Sequence, residues 1–343
     1  MMRLPLSWLL AFTTAALALL LLGSLTTGPM TLTLGESLRA LFAGQESGIE
    51  SHKLLIVQEI RLPRTLLCIA VGGILGLCGA VMQGLFRNPL ADPGIIGVSG
   101  GAALGAALAI VLLAPLGQQL QTTIGVGLLP LLAFLGGALT TTLVYLLGTR
   151  EGGTSVTVML LAGVAITALS GAVIGLLTYL ADDQMLRNLS LWQMGTLAAG
   201  KPADVALALL TLAALLWLFM RDANPLNALL LGEGEARHLG VNVQSLKRRL
   251  ILLTAAGVGV AVAVAGMIGF VGLVVPHLVR LLAGPNHVRL LPLSALLGAA
   301  LLLAADMLAR TLLVPAELPV GIITALLGAP FFIWLLVKGR RAL

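Results

Sequence analysis

Charge is what this chain has least of. Asp, Glu, Lys and Arg make up 10% of its 343 residues, against about 25% in a soluble globular domain. Hydrophobic residues reach 59%, and mean hydropathy is +1.06. So few polar groups cannot cover a folded surface in water, which excludes a soluble enzyme or binding module and predicts a polytopic membrane protein. Cysteine is almost absent as well. Cys68 and Cys78 lie ten residues apart in one apolar run, about 15 Å along a helix. A disulfide needs Cα atoms within about 7 Å, so two small hydrophobes in a packed helix are expected. The chain lacks H-E-x-x-H and any cluster of Cys, His or Asp at metal-ligand spacing, so no metal site and no catalytic constellation are predicted. Gly195–Lys201 reads GTLAAGK, the start of a phosphate-binding loop. It follows an apolar helix rather than a strand, and Pro202 stands where a Ser or Thr would hold magnesium. No ATP site of its own is expected. The net charge of +6 does not indicate nucleic-acid binding, because Lys and Arg are scattered through short loops as an orientation signal is.

Apolar runs bounded by charges or turn residues predict about ten transmembrane helices. Their cores are Leu6–Leu25, Leu62–Leu85, Gly94–Leu113, Val126–Leu147, Val156–Leu180, Val205–Phe219, Leu250–Met267, Ile268–Leu282, Leu290–Met307 and Leu318–Val337. The first is followed by Thr26, Thr27, Gly28 and Pro29 rather than a small-x-small cleavage site, so it reads as a retained span. The run from Leu250 to Leu282 exceeds the ~20 residues of one crossing. Gly266, Gly269 and Gly272 permit a break within it. With both termini in the cytoplasm, thirteen Lys and Arg fall inside and seven outside, as the positive-inside rule requires. Small residues at four-residue spacing, Gly97–Gly101–Gly105 and Gly171–Gly175, predict close helix packing. A Gly/Ala-rich span followed by a Pro-containing turn occurs in both Leu62–Leu180 and Leu250–Val337, the pattern an inverted repeat would leave. Residues 1–343 are read as one transmembrane domain.

Against this background the polar segment at about 221–249 stands out. Asp222, Glu233, Glu235, Arg237, His238, Lys247, Arg248 and Arg249 fall within it. One charge at the bilayer centre costs about 2.5–3.5 kcal/mol, so the segment lies outside the membrane. Glu233 to Leu239 has helix-forming composition between Gly232 and Gly240. A short surface helix between spans suggests a docking site for a soluble partner; a solvated loop is the competing reading. RLPR, Arg61 to Arg64, opens a span at the outer face, with Arg310 on the same side. These arginines read either as lipid anchors whose charged heads reach the interface or as a basic rim for an acidic partner. RNPLADPGIIG, Arg87 to Gly97, forces non-helical backbone at the inner mouth, as a connector or a constriction. His277 after Pro276 and His287 in a loop read as packing or helix-end residues before haem ligands.

Together RLPRTLL, GAVMQGLFRNPLADPGIIGVSGGA, LLAGVA, LGEGEARHLG, GMIGFVGLVVPHLVR and ELPVGIITALLGAPFFIWLL resemble one family, from about Leu54 to Arg341. It is the FecCD-type permease family of bacterial ABC importers for iron–siderophores, haem and vitamin B12. The resemblance implies an all-α subunit of ten spans in the bacterial inner membrane, dimerising with a second copy of itself around a central path. It implies two cytoplasmic ABC ATPase subunits and a periplasmic substrate-binding protein as partners. ATP and magnesium would sit on the ATPase, with no permanent cofactor on this chain. By the same resemblance Gly232, Glu233, Ala236, Arg237, Leu239 and Gly240 form the helix that couples to the ATPase. Arg61, Arg64 and Arg310 match outer arginines that meet acidic residues of the binding protein. Asn88, Leu90 and Ser155 match cytoplasmic gate positions, although GGTSVTV, Gly152 to Val158, departs from the family pattern. The outer segment Thr178–Leu197, with Gln184, Arg187 and Trp192, resembles haem-transporting members. A ferric siderophore or cobalamin is the alternative cargo. An ion-coupled secondary transporter is the competing class, for which Asp306 is the one acidic candidate near a span.

Overall fold

The computed structural model describes residues 5–42, 50–113, 127–150, 153–198 and 200–340. The chain is all but wholly helical. Among the described residues, seven helices are long and apolar enough to cross a membrane: α1 (Leu6–Thr26), α3 (Ser51–Leu85), α5 (Leu128–Gly148), α6 (Val156–Leu180), α8 (Pro202–Arg221), α11 (Val243–Ala265) and α13 (His287–Thr311). Three more apolar helices are α4 (Val98–Val111), α12 (Val271–Ala283) and α14 (Val320–Arg340). Every span read from the sequence coincides with one of these ten. The short ones have local reasons. At 1.5 Å per residue α12 is only about 20 Å long; it starts after a break in which Gly266 and Phe270 both take positive φ, and it carries Pro276 inside. A 3₁₀ turn, Pro93–Ile96, precedes α4 in the same way.

Four shorter helices, α2 (Leu34–Phe42), α7 (Asp183–Gln193), α9 (Ala223–Leu230) and α10 (Glu233–His238), lie between spans. A two-residue hairpin joins α5 to α6, with Thr149 opposite Thr154 and Arg150 opposite Gly153. It is the sole pair of strands among the described residues and a small departure from an all-α chain.

The core is built on α3. Within its most apolar window 89% of the residues are buried, against 17–33% in α1, α5, α6 and α8, which therefore present apolar side chains outward as a lipid-immersed bundle does. α13, α12, α8 and α11 surround α3, while α4, α5 and α6 form a second group. Lipid tails are as apolar as leucine, so helices associate there through close packing rather than hydrophobic exclusion. A Cβ added to Gly79 of α3 would lie 1.9 Å from the Gly272 carbonyl oxygen, and one on Gly105 of α4 would lie 1.9 Å from that of Leu132. The Gly101–Gly105 step is therefore a packing step. The Gly171–Gly175 step is not one within the chain, because a side chain on either would meet nothing within 4 Å.

α3 begins eleven residues before the expected span, and Ile56–Arg61 forms a π-helical turn within it. Such turns carry one extra residue against the α-helical register. This one ends on Arg61, whose side chain is buried.

Candidate functional site

The polar segment builds a compact surface at one end of the bundle. Asp222 is buried and accepts hydrogen bonds from Nε and Nη2 of Arg249, the first at 2.8 Å. This ties the start of α9 to α11. Leu226 and Leu229 bury the inner face of α9. The chain then turns at Gly232 (φ +123°) into α10 and leaves it at Gly240 (φ +83°), values that favour glycine. Ala236 is the one residue of α10 that is buried; Glu235, Arg237, His238, Leu239 and Gly240 are exposed, and Gly232 and Glu233 are half-buried. Leu239 is 64% exposed, a large apolar side chain presented beside charges. The expected surface helix thus exists with the expected limits, anchored by Ala236 and open on its other face.

Three side chains, Lys247, Gln244 and Asn227, hold this surface to the bundle. Lys247 Nζ donates to Glu233 Oε1 at 2.6 Å and to the Thr154 carbonyl at 3.0 Å. Gln244 Oε1 accepts from the Thr154 N–H at 3.1 Å. Asn227 Oδ1 accepts from the backbone N–H of His287 at 2.8 Å and lies 3.0 Å from its Nδ1. His287 is the buried first residue of α13 rather than a loop residue, and it fits only because Gly84 of α3 has no side chain there: a Cβ would sit 2.2 Å from Nε2. The sequence reading missed Lys247, Gln244 and Asn227. The one signal for Lys247 was its place in a basic run fourteen residues after Glu233.

The turn Arg87–Gly97 lies at the same end, where Arg87 approaches Gly232. Asn88 Oδ1 accepts from the Leu90 N–H at 2.9 Å and Asp92 Oδ1 from the Gly94 N–H at 2.7 Å, so the two side chains fold the turn on itself. Burial of Asp92 raises its carboxyl pKa, partly offset by the Gly94 N–H. The turn rests on α5 and α6. Thr140 Oγ1 donates to the Gly97 carbonyl at 2.9 Å, and a Cβ on Gly163 would lie 2.0 Å from the Ile95 carbonyl oxygen. Asn88 is exposed and Leu90 half-buried. Ser155 is exposed at the start of α6, where its Oγ accepts from the Val158 N–H at 3.4 Å. The three candidate gate residues therefore share one end of the bundle, Asn88 and Leu90 in one turn and Ser155 in another.

At the opposite end the expected arginines come together, but as a buried cluster. Arg64 donates from Nε and Nη2 to Asp306 at 3.0 and 2.8 Å, and from Nη1 to Glu317 at 2.6 Å. Arg310 Nε stands 3.0 Å from Asp306 Oδ2, and its Nη2 donates to Ser24 Oγ at 2.7 Å. Arg61 donates from Nη1 to the Leu25 carbonyl at 2.7 Å and from Nη2 to that of Met30. All three are buried. An exposed basic rim is therefore corrected to a buried network, because Arg64 and Arg310 find their carboxylates within the chain and Arg61 is bound to backbone carbonyls. Asp306, fully buried between two guanidinium groups, is committed there as a counter-ion.

The segment Thr178–Leu197 folds as the end of α6 and then α7, capped by Asp182, whose Oδ1 accepts from the Met185 N–H at 2.7 Å. Leu189 packs into a small core with Ala107, Ile110, Val111 and Leu177. Gln184 and Arg187 are exposed on the polar face, and Trp192 is half-buried. His277 stacks edge-on against Phe331 with centroids 5.9 Å apart. Cys68 and Cys78 are buried and unpaired with each other. Among the described residues no group of three or more His, Cys, Asp or Glu is placed to hold a metal ion.

Comparison with known proteins agrees with this architecture. The model of the FecCD transport family matches residues 16–338. The hemin transport system permease protein HmuU of Yersinia pestis is 46% identical over 336 residues, 97% of this chain and 96% of that protein. The vitamin B12 import system permease protein BtuC of Shigella boydii is 42% identical over 334 residues, again 97% and 96%. Among solved structures, an inward-facing conformation of a transporter described as metal-chelate ABC type superposes with a TM-score of 0.82 at 33% identity, covering 97% of this chain and 99% of that one.

Proposed function

The chain belongs to the FecCD transport family, and from that premise we propose that it is the permease subunit of an ATP-driven importer that carries haem across the bacterial inner membrane. The observation that carries the reading is the match along residues 16–338 to a family of transport proteins, on a chain whose exposed charged helix α10 stands where a soluble partner can reach it. Haem is favoured over cobalamin by the higher identity to the hemin permease, 46% against 42% at equal coverage. The exposed Gln184 and Arg187 of α7, in the segment that resembles haem-type members, support the same choice.

In this reading all ten apolar helices cross the membrane with both termini in the cytoplasm, and two copies of the chain flank the path. Hydrolysis belongs to two cytoplasmic ATPase subunits, each receiving one α10. Arg237 and Leu239 make the contact, Ala236 seats the helix, Glu233 fixes its near side, and Gly232 and Gly240 set its limits. The turns bearing Asn88, Leu90 and Ser155 narrow the cytoplasmic exit. Cargo arrives from a periplasmic binding protein. Arg64 acts on that protein indirectly, by holding the Leu312–Pro319 turn through Glu317, while Arg61 and Arg310 secure the same end of the bundle through Leu25 and Ser24. A specific observation favours cobalamin as the second reading: the vitamin B12 permease of Shigella boydii matches over the same share of the chain.

Affinity purification of the chain from its native membrane tests the subunit reading. Recovery of an ATPase with a binding protein is expected. A chain that purifies alone and transports without ATP would reject it.

A further inference from the structure

One ammonium group joins α10 to the turn that precedes α6. Lys247 is the fifth residue of α11 and is 2% exposed. Its neighbours in the run differ: Arg248 is exposed, and Arg249 pairs with Asp222. Of the three donors on an ammonium, one goes to Glu233 in α10 and one to the Thr154 carbonyl, the residue before Ser155. Gln244, three residues earlier, accepts from the N–H of the same Thr154. Both backbone polar groups of Thr154 are thus pinned by one turn of α11, and that turn also holds α10. Water does not reach Lys247, so a lost partner there leaves a buried donor unsatisfied rather than solvated. Glu233 is half-buried on the surface and is the displaceable partner. A protein seated on α10 that shifts Glu233 changes what Lys247 holds and so where Thr154 and Ser155 stand.

We propose that Lys247 is a positioning residue that ties α10 to the start of α6, so that movement of the partner-docking helix reaches the Ser155 turn through its ammonium. The proposal rests on the coupling role given to α10. It identifies the link between docking helix and exit as a single side chain with two hydrogen bonds, at a position that pattern reading leaves in a solvated basic run.

The test uses the complete importer in proteoliposomes and reads cargo taken up per ATP hydrolysed, a ratio that a fall in the amount of folded complex leaves unchanged. Lys247→Met should lower the ratio about fivefold or more, the lower range of coupling between sites. Glu233→Gln should lower it in the same direction. The double variant should be no worse than Lys247→Met, since both act through one bridge, and Lys247→Arg should restore part of the ratio. Unchanged ratios, or losses that simply multiply, would overturn the proposal. Where Lys247→Met fails to accumulate, Glu233→Gln alone decides it.

A second reading does not depend on transport. Spin labels on Gly234→Cys and Thr157→Cys, both exposed positions, should show a broadened distance distribution when Lys247→Met or Glu233→Gln is added; an unchanged distribution overturns the tether. If the unmodified importer shows no ATP-driven uptake, the coupling role fails while these distances still decide the tether.

Discussion

Arg64 and Asp306, 242 positions apart in sequence, meet inside the bundle with Nε and Nη2 of the guanidinium at 3.0 and 2.8 Å from one carboxylate oxygen. Arg310 reaches the other oxygen at 3.0 Å, and the carboxylate is fully buried. Removing it leaves Arg310 without a counter-charge and Arg64 with Glu317 alone. Asp306→Ala should lower stability by about 3–5 kcal/mol, the cost of breaking a buried pair from one side. Glu317→Gln should cost much less, because Glu317 is 33% exposed. Unfolding midpoints in detergent check both; equal effects would place the cluster at the surface.

Close helix contact gives a sharper contrast. Gly105→Ala must push its methyl into the Leu132 carbonyl, while Gly171→Ala meets nothing within 4 Å. The first should destabilise by about 1–3 kcal/mol, as overpacking does. The second should be neutral, or stabilise by up to ~1 kcal/mol through helix propensity. Thermal unfolding of the purified chain separates them.

The exposed face of α10 should carry partner affinity without carrying the fold. Leu239→Asp and Arg237→Glu should weaken ATPase association about tenfold or more, the loss expected of a buried interface contact. The unfolding temperature of the chain should stay where it was. Unchanged affinity in both variants would remove α10 from the interface.

Acid should test the cap of α2. Thr33 and Glu36 exchange hydrogen bonds as a capping box, and Lys53 donates to the same carboxylate. The Lys53 bond, then those from Thr33, hold Glu36 down to about 2, below the usual ~4.3 of a glutamate. A depressed carboxylate stabilises the folded state above its unfolded pKa and loses that effect as pH falls towards its folded one. Amide protection in Leu34–Phe42, taken relative to the intrinsic exchange rate at each pH, should therefore hold at pH 5 and fall between about pH 4 and 2. Glu36→Gln should lose that pH dependence.

What the sequence made legible follows from range. The spans, the break near Gly266 and the limits of α10 are set within a few residues, by apolar length and by glycines with positive φ, and all three were readable. The start of α3 was not, because Gln58, Glu59 and Arg61 interrupt the apolar run; Arg61 is nonetheless buried, donating to the carbonyls of Leu25 and Met30. The outer arginines looked exposed for a related reason: spacing shows a charge at a helix mouth but not a carboxylate 242 residues away. Lys247 stands in a run with Arg248 and Arg249, and only the packing of α10 and the hairpin buries it. Gly171 shows the reverse case, a packing pattern in sequence that the chain's own helices leave open.

The central claim is ATP-driven movement of haem. It is tested most directly by proteoliposomes holding two copies of this chain, its ATPase and its binding protein, offered haem, cobalamin and a ferric siderophore in parallel. The account predicts haem accumulation that requires ATP and the binding protein, with cobalamin and the siderophore left outside. Accumulation of cobalamin or the siderophore in place of haem would contradict the cargo, and haem uptake without ATP would contradict the mechanism.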